Sequence, residues 1–134
     1  MELKEFINNN NVDYSYNRVN EQYLPEIENI VGAKIGEQLK DYILQYGYLG
    51  YEHIELFGVN NTQKVDSDMI QRTLFLHKRF DVTEGMIAIE DQGDGDYYLV
   101  NSEDMVYRFV AGSNELQATN LKLNEYILKR FLSA

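Results

Sequence analysis

The 134-residue sequence contains no cysteine and no tryptophan, and it has a single proline. The absence of cysteine excludes a disulfide framework, a thiolate nucleophile and a zinc site with sulfur ligands. The sequence also lacks the run of about 18 apolar residues that a membrane-spanning helix needs. Its first residues, Met1 to Glu5, are charged, and no apolar segment of a secretory signal follows them. We therefore expect a cytoplasmic protein without a membrane partner.

Positive charge is scarce as well. Twelve lysine and arginine residues stand against twenty-two aspartate and glutamate residues, so the formal net charge is −10. A nucleic-acid-binding domain has the opposite charge, and we expect no nucleic-acid partner. The negative charge either serves solubility or attracts a basic protein. Eleven tyrosines are present, a residue type that is common both at recognition surfaces and in ordinary cores.

Hydrophobic periodicity predicts one domain over residues 1–134. The predicted helices cover residues 1–16 (a short helix and a polar bridge), 25–32, 36–46 and 69–80, and a last helix begins at Thr119 or Asn120. Gly32 and Gly47 are expected to end the second and third helices, and Asp66-Ser67-Asp68 is expected to start the fourth. A glycine-aromatic loop is predicted at 47–51, and strands are predicted at 53–59, 86–90, 97–101 and 105–110. Short connections between the last strands indicate an antiparallel meander. The expected fold is α+β, with a mostly antiparallel twisted sheet and helices packed on one side.

The segment Asp91–Asp96 places three aspartates among two glycines, between two predicted strands. An EF-hand loop that starts at Asp91 would need oxygen ligands where Gly93 and Gly95 stand, so that register fails. A looser calcium site formed by Asp91, Asp94 and Asp96 is one alternative. The favoured interpretation is a hairpin loop, in which Gly93 and Gly95 supply the positive φ angles.

The residue types that most often carry catalysis form no recognisable motif. His77 falls on an apolar helix face, where a packed and hydrogen-bonded role is expected, and His53 begins a predicted strand. There is no G-x-S-x-G nucleophile elbow and no phosphate-binding loop. Six carboxylates could pair for acid–base chemistry only if a cleft brought them together: Glu90, Asp91, Asp94, Asp96, Glu103 and Asp104. We therefore predict a protein that is not an enzyme and has no catalytic residue, cofactor or metal.

Two segments resemble the signature of the SUKH superfamily, also called the Smi/Knr-type family. The first is Ile27–Gly47, IENIVGAKIGEQLKDYILQYG, where an isoleucine-glutamate helix precedes a helix that ends in tyrosine-glycine. The second joins the hydrophobic strand within Val82–Ile89 to the acidic turn and aromatic strand of Gly93–Leu99. The resemblance covers roughly residues 20 to 132. It departs from the family at Ile35-Gly36, where a leucine-proline step is usual, and in the missing tryptophan.

The resemblance implies an α+β domain of the bacterial immunity-protein branch, whose members neutralise polymorphic or contact-dependent toxins, often nucleases. We expect the partner to be a cognate toxin with a basic nuclease domain, and the chain to be a monomer or a weak homodimer. The alternatives are a regulatory protein-interaction scaffold without a toxin partner, and a small-molecule or calcium-binding protein. The expected partner contacts lie in two segments: Tyr48, Tyr51, Glu52 and Glu55 in the first, and Asp91, Asp94, Asp96 and Tyr97 in the second.

Overall fold

The computed structural model describes residues 1–15, 18–59 and 67–134. The helices in these residues are α1 (Leu3–Asn9), α2 (Leu24–Val31), α3 (Glu37–Gln45), α4 (Met69–Arg79) and α5 (Leu123–Leu132). The strands are β1 (Asp13–Tyr14), β2 (Leu49–Tyr51), β3 (Ile54–Glu55), β4 (Ile87–Asp91), β5 (Tyr97–Val100), β6 (Met105–Val110) and β7 (Glu115–Lys122). Short 3₁₀ helices occupy Glu21–Tyr23 and Asp81–Thr83.

Two antiparallel sheets form the centre of the molecule. The smaller has the strand order β1-β2-β3, and the larger is a meander of order β4-β5-β6-β7. Phe57, just after β3, joins the two sheets because its N–H donates to the Ile89 carbonyl of β4 at 2.8 Å. The α+β class predicted from the sequence is confirmed, and the single expected sheet is divided into two.

Helices pack against both faces of the larger sheet, which corrects the expectation that they would lie on one side. Successive side chains of a strand point to opposite faces. Tyr98 of β5 contacts Tyr126 of α5, with ring centroids 4.8 Å apart. Phe109 pairs with Tyr97 across the strands and so lies on the opposite face from Tyr98. Its ring centroid is 4.7 Å from that of Phe80 at the end of α4. The sheet is therefore covered by α5 on one face and by the end of α4 on the other.

The helix boundaries follow from local chemistry that the sequence predicts well. Asp68 caps α4 by accepting the Gln71 N–H at 3.0 Å. Gly32, with φ of 66°, ends α2, and Gly47, with φ of 69°, follows α3. Both take the left-handed conformation that glycine adopts without steric cost. The helix predicted from Asp66-Ser67-Asp68 begins at Met69, and Asp66 lies outside the described residues.

The first predicted strand is wrong in its bounds. Instead of one strand over 53–59, the chain forms a tight hairpin in which Tyr51 pairs with Ile54, and His53 lies in the turn. The predicted glycine-aromatic loop at 47–51 contains β2. Glu52 makes the turn with a positive φ of 54°, a conformation that a non-glycine residue adopts only infrequently.

The start of the last helix is also wrong. Thr119 and Asn120 are not helix caps, because both lie in β7, and α5 begins at Leu123. Asn120 has a φ of 61° and sits where the β6–β7 register shifts, so it belongs to a β-bulge. The mostly exposed edge strand β7 is the longest of the strands that the sequence did not predict, the others being β1 and β2.

Candidate functional site

The Asp91–Asp96 segment is a hairpin loop, as the favoured interpretation predicted. Gly93 and Gly95 have φ angles of 88° and 95°. The Asp91 carboxylate accepts the Gly93 N–H at 2.7 Å, and the Asp94 carboxylate accepts the Asp96 N–H at 3.1 Å. These two aspartates are exposed, yet one oxygen of each already holds the loop.

Asp96 and Tyr97, which were expected to contact a partner, are buried. Asp96 accepts from the Arg108 guanidinium at 2.9 Å and from the Ala111 N–H at 3.1 Å. It therefore ties the β4–β5 loop to the end of β6. The Tyr97 ring lies 6.4 Å from that of Phe57, and burial, reinforced by the nearby Asp91 charge, raises the pKa of Tyr97. Both side chains pack beneath the loop and stabilise it, and neither is exposed at its surface.

The three loop aspartates do not converge on a common point. Across residues 1–15, 18–59 and 67–134, no group of three or more histidine, aspartate or glutamate side chains could hold a metal ion. One oxygen of Asp91 and one of Asp94 accept loop N–H groups, whereas both oxygens of Asp96 are bound, by Arg108 and Ala111. The alternative of a calcium site thus gains no support from the geometry.

The first predicted segment is the β2–β3 hairpin and the residues that flank it. Glu52 is exposed at the tip of the hairpin. Tyr51 is half-buried between Phe6 and Phe131, with ring centroids 5.1 and 5.5 Å away. The Glu55 carboxylate accepts from the Ser67 hydroxyl at 2.6 Å. The half-buried Tyr48 ring packs over Gly50, where a Cβ would collide with it.

The eight predicted contact residues therefore divide by exposure. Three are exposed, namely Glu52, Asp91 and Asp94, and three are half-buried, namely Tyr48, Tyr51 and Glu55. The exposed residues stand at the tips of hairpins in different sheets. Phe57 connects the segments, because it bonds to β4 and packs against Tyr97.

The buried Glu90 is part of an ionic network inside the molecule. Its carboxylate is bound in bidentate fashion by Arg130, with contacts of 2.7 and 3.1 Å, and it accepts from the Tyr126 hydroxyl at 2.5 Å. Burial first, and then the Glu90 charge, raises the pKa of the Tyr126 hydroxyl well above its usual range. The carboxylate raises the pKa of Arg130, chiefly by accepting its hydrogen bond. These contacts hold α5 against β4.

A third buried carboxylate, Asp104, caps a helix from a distant point in the chain. It accepts the N–H groups of Gln38 and Leu39 at 2.9 and 3.0 Å, at the start of α3. Gly36 leaves room for this contact, since a Cβ there would collide with the Asp104 carboxylate. Sequence reasoning gave Asp104 no such role, because 66 residues separate it from Gln38.

The two histidines have different surroundings. The Nε2 atom of His77 lies 2.7 Å from the Met86 carbonyl oxygen, so the expected packed and hydrogen-bonded role is confirmed. His53 is exposed beside Glu52 in the β2–β3 turn. Among the described residues, the Glu90 carboxylate accepts hydrogen bonds from Arg130 and Tyr126, and neither histidine takes part in this network.

A groove that the sequence did not indicate lies between residues 18–23, α2 and α4, with a volume of about 780 Å³. Ile30 and Leu74 line it, and they are 42% and 36% exposed. Helical periodicity predicts a buried stripe that includes Ile30, and it groups Leu74 with Met69 on one broad face of its helix. The exposure of Ile30 shows that the first prediction is wrong. The only signal available in the sequence for Ile30 and Leu74 was their position on helices that flank the core, and it favoured burial.

None of the helices in the described parts of the chain has both the length and the apolar character needed to cross a membrane. A comparison with curated proteins found no match. The SUKH_5 family model, described as SMI1-KNR4 cell-wall, matches residues 2–132. The match includes both sheets and all five of the described helices, so the resemblance noted in the sequence is confirmed. The chain belongs to the SMI1-KNR4 family of the SUKH superfamily.

Proposed function

We propose that this protein is an immunity protein, which binds a cognate polymorphic or contact-dependent toxin and blocks its nuclease active site with an acidic surface. The observation that carries the proposal is the imbalance of exposed charge. In the described residues, fifteen aspartate and glutamate side chains are exposed, against seven lysine and arginine side chains. Membership of the SUKH superfamily supports the same function, because its bacterial members include many immunity proteins.

Several cations are held by carboxylates of the protein itself. Arg130 and Arg108 bind the buried Glu90 and Asp96, and they are half-buried themselves. Lys40 contacts Glu21 at 2.8 Å. These pairs leave the exposed carboxylates in excess, and such an excess gives a surface a negative potential.

A nuclease active site is basic because its substrate carries one negative charge per phosphate. An acidic protein is steered toward such a site, and the steering raises the association rate. Buried aromatic side chains then slow dissociation. We assign the steering role to Glu52, Asp91 and Asp94, and the contact role to Tyr48, Tyr51 and Glu55. Asp96 and Tyr97, which the structure buries, act by fixing the loop that carries Asp91 and Asp94.

The test is co-expression of this chain with the toxin domain encoded beside it, scored by cell survival and by co-purification. We expect survival and a stable complex. In the double variant Asp91→Asn, Asp94→Asn, each asparagine keeps an oxygen that can accept the loop N–H, so the loop is preserved while two charges are lost. We expect its association rate with the toxin to fall about fivefold at low salt.

The matched control is the double variant Glu103→Gln, Glu115→Gln, which removes two exposed charges elsewhere on the same sheet, from the β5–β6 turn and from the start of β7. We expect its association rate to change by less than twofold. If both double variants slow association equally, the loop has no special role and only the net charge matters. If the wild-type chain neither rescues the cells nor forms a complex, the immunity proposal is wrong.

The second candidate function is a regulatory scaffold that binds a protein other than a toxin. The description of the matched family, SMI1-KNR4 cell-wall, favours this candidate. Both candidates have the same fold and the same acidic surface. The co-expression test separates them, because only an immunity protein rescues the cells from the toxin.

A further inference from the structure

The groove between residues 18–23, α2 and α4 combines an apolar lining with carboxylates. Its apolar lining consists of Val19, Tyr23, Ile30, Val59, Ile70 and Leu74. Ile30 and Leu74 are two of the six large apolar side chains that are exposed in the described residues. Apolar side chains clustered in an open concavity are typical of binding sites, because covering them removes apolar area from water.

The charged lining of the groove favours a cation. Glu26 is exposed and Asp68 is half-buried, and both line the groove. Asp68 accepts the Gln71 N–H, and burial raises the pKa of its carboxyl group. Arg18 also lines the groove, but its guanidinium donates to the Gln45 carbonyl oxygen at 2.8 Å, at the end of α3. A positively charged group bound here would offset the partial desolvation of Asp68.

We propose that this groove binds a segment of the toxin in which a large apolar side chain lies within a few residues of a lysine or arginine. The apolar side chain covers Ile30 and Leu74, and the cation pairs with Glu26 or Asp68. That the segment belongs to a toxin rests on the proposed function, whereas the chemistry of the segment follows from the lining of the groove.

The groove and the hairpin loop then contribute to binding in different ways. Charges at an exposed rim act mainly on the association rate, and an apolar anchor in a concavity acts mainly on the dissociation rate. Loss of Asp91 and Asp94 charge therefore slows association, whereas damage to the groove shortens the lifetime of the complex.

The test uses a displayed library of random 12-residue peptides, selected against the full chain, and it needs no toxin. We expect the enriched peptides to share an apolar residue close to a lysine or arginine. Leu74→Lys should weaken the binding of these peptides at least tenfold. The matched control is Val82→Lys, because Val82 is 37% exposed, close to the 36% of Leu74, and does not line the groove.

Two milder variants test the carboxylates and guard against misfolding. Glu26→Gln changes an exposed side chain, and Asp68→Asn keeps a residue that caps helices well. The double variant should weaken the same peptides about fivefold without lowering the melting temperature by more than a few degrees. A fall in binding that follows a general loss of folding in both lysine variants would count against the groove.

The proposal is overturned if no peptide is enriched, or if enriched peptides bind Leu74→Lys as tightly as the wild type. It is also overturned if they lack basic residues and ignore the double carboxylate variant. These outcomes differ from a failure of the immunity proposal, which appears as absent rescue even when basic-apolar peptides occupy the groove. In a complex with the toxin, Leu74→Lys should raise the dissociation rate and leave the association rate within twofold.

Discussion

At the scale of single residues, the buried carboxylates stabilise the fold by contacts within the chain. Asp104 shows this most directly, because it satisfies two backbone N–H groups at the start of α3. These donors have no partner inside their own helix. We predict that Asp104→Ala lowers the free energy of unfolding by about 2 kcal/mol, through the loss of a helix cap and of buried hydrogen bonds. Urea denaturation measures this change.

The neighbouring Glu103 provides the control, since its side chain is exposed. Glu103→Ala should change the free energy of unfolding by less than about 0.5 kcal/mol, as surface substitutions usually do. Equal effects of the two substitutions would show that the Asp104 cap contributes nothing particular. The same contact explains the glycine at position 36, because any Cβ there would collide with the Asp104 carboxylate.

At the scale of elements, the sequence predicts helices better than the short strands. Gly32, Gly47 and Asp68 mark the ends of helices by conformational preferences that act within a few residues, and the structure confirms all three. The β2–β3 turn gives no such signal, because Glu52 takes its positive φ without being glycine. Local patterns also cannot reveal the partner of a residue across the chain, and for this reason the roles of Asp104 and Glu90 remained hidden.

The candidate site could be predicted from the sequence only in part. The hairpin loop was predictable because Gly93 and Gly95 permit positive φ angles on either side of Asp94. The burial of Asp96 was not, since it depends on Arg108 and Ala111 in a later strand and turn. The groove depends on how α2 and α4 are placed, and helical periodicity favoured burial for Ile30.

The cap of α4 has a pH dependence of its own. Burial raises the pKa of Asp68 above its ordinary value of 3.8, so the folded state binds this proton more tightly than the unfolded state does. The contribution of Asp68 to the free energy of unfolding therefore falls as the pH rises from its pKa in the unfolded state to its pKa in the folded state. We predict that the free energy of unfolding of Asp68→Asn, minus that of the wild type, is larger near pH 7 than near pH 3.

Urea denaturation of both proteins at the two pH values measures this difference. Asp41→Asn, which alters an exposed aspartate on α3, gives the effect of losing a surface carboxylate and is subtracted. The opposite trend, with the variant relatively more stable near pH 3, would mean that Asp68 is stabilised rather than penalised as an anion. In that case Asp68 would be a poorer partner for an incoming cation, and Glu26 would have to carry the charge recognition in the groove.

At the scale of the whole molecule, the net charge of −10 should act on stability as well as on association. Fifteen exposed carboxylates, set against seven exposed cations in the described parts of the chain, repel one another in the compact state. Salt screens such exposed charges, with a Debye length of about 10 Å at 0.1 M. We predict that raising sodium chloride from about 0.02 M to about 0.5 M increases the melting temperature by on the order of 3–6 °C.

A variant with less repulsion separates this effect from a general action of salt. Glu52→Gln, Glu84→Gln and Glu115→Gln together remove three exposed charges, from two turns and from the start of β7. The triple variant should melt at a higher temperature than the wild type in low salt and should gain less when salt is added. If salt raises both melting temperatures equally, repulsion is not the cause. The acidic surface would then not lower the stability of the fold measurably, and association rates with the partner would be the test of its charge complementarity.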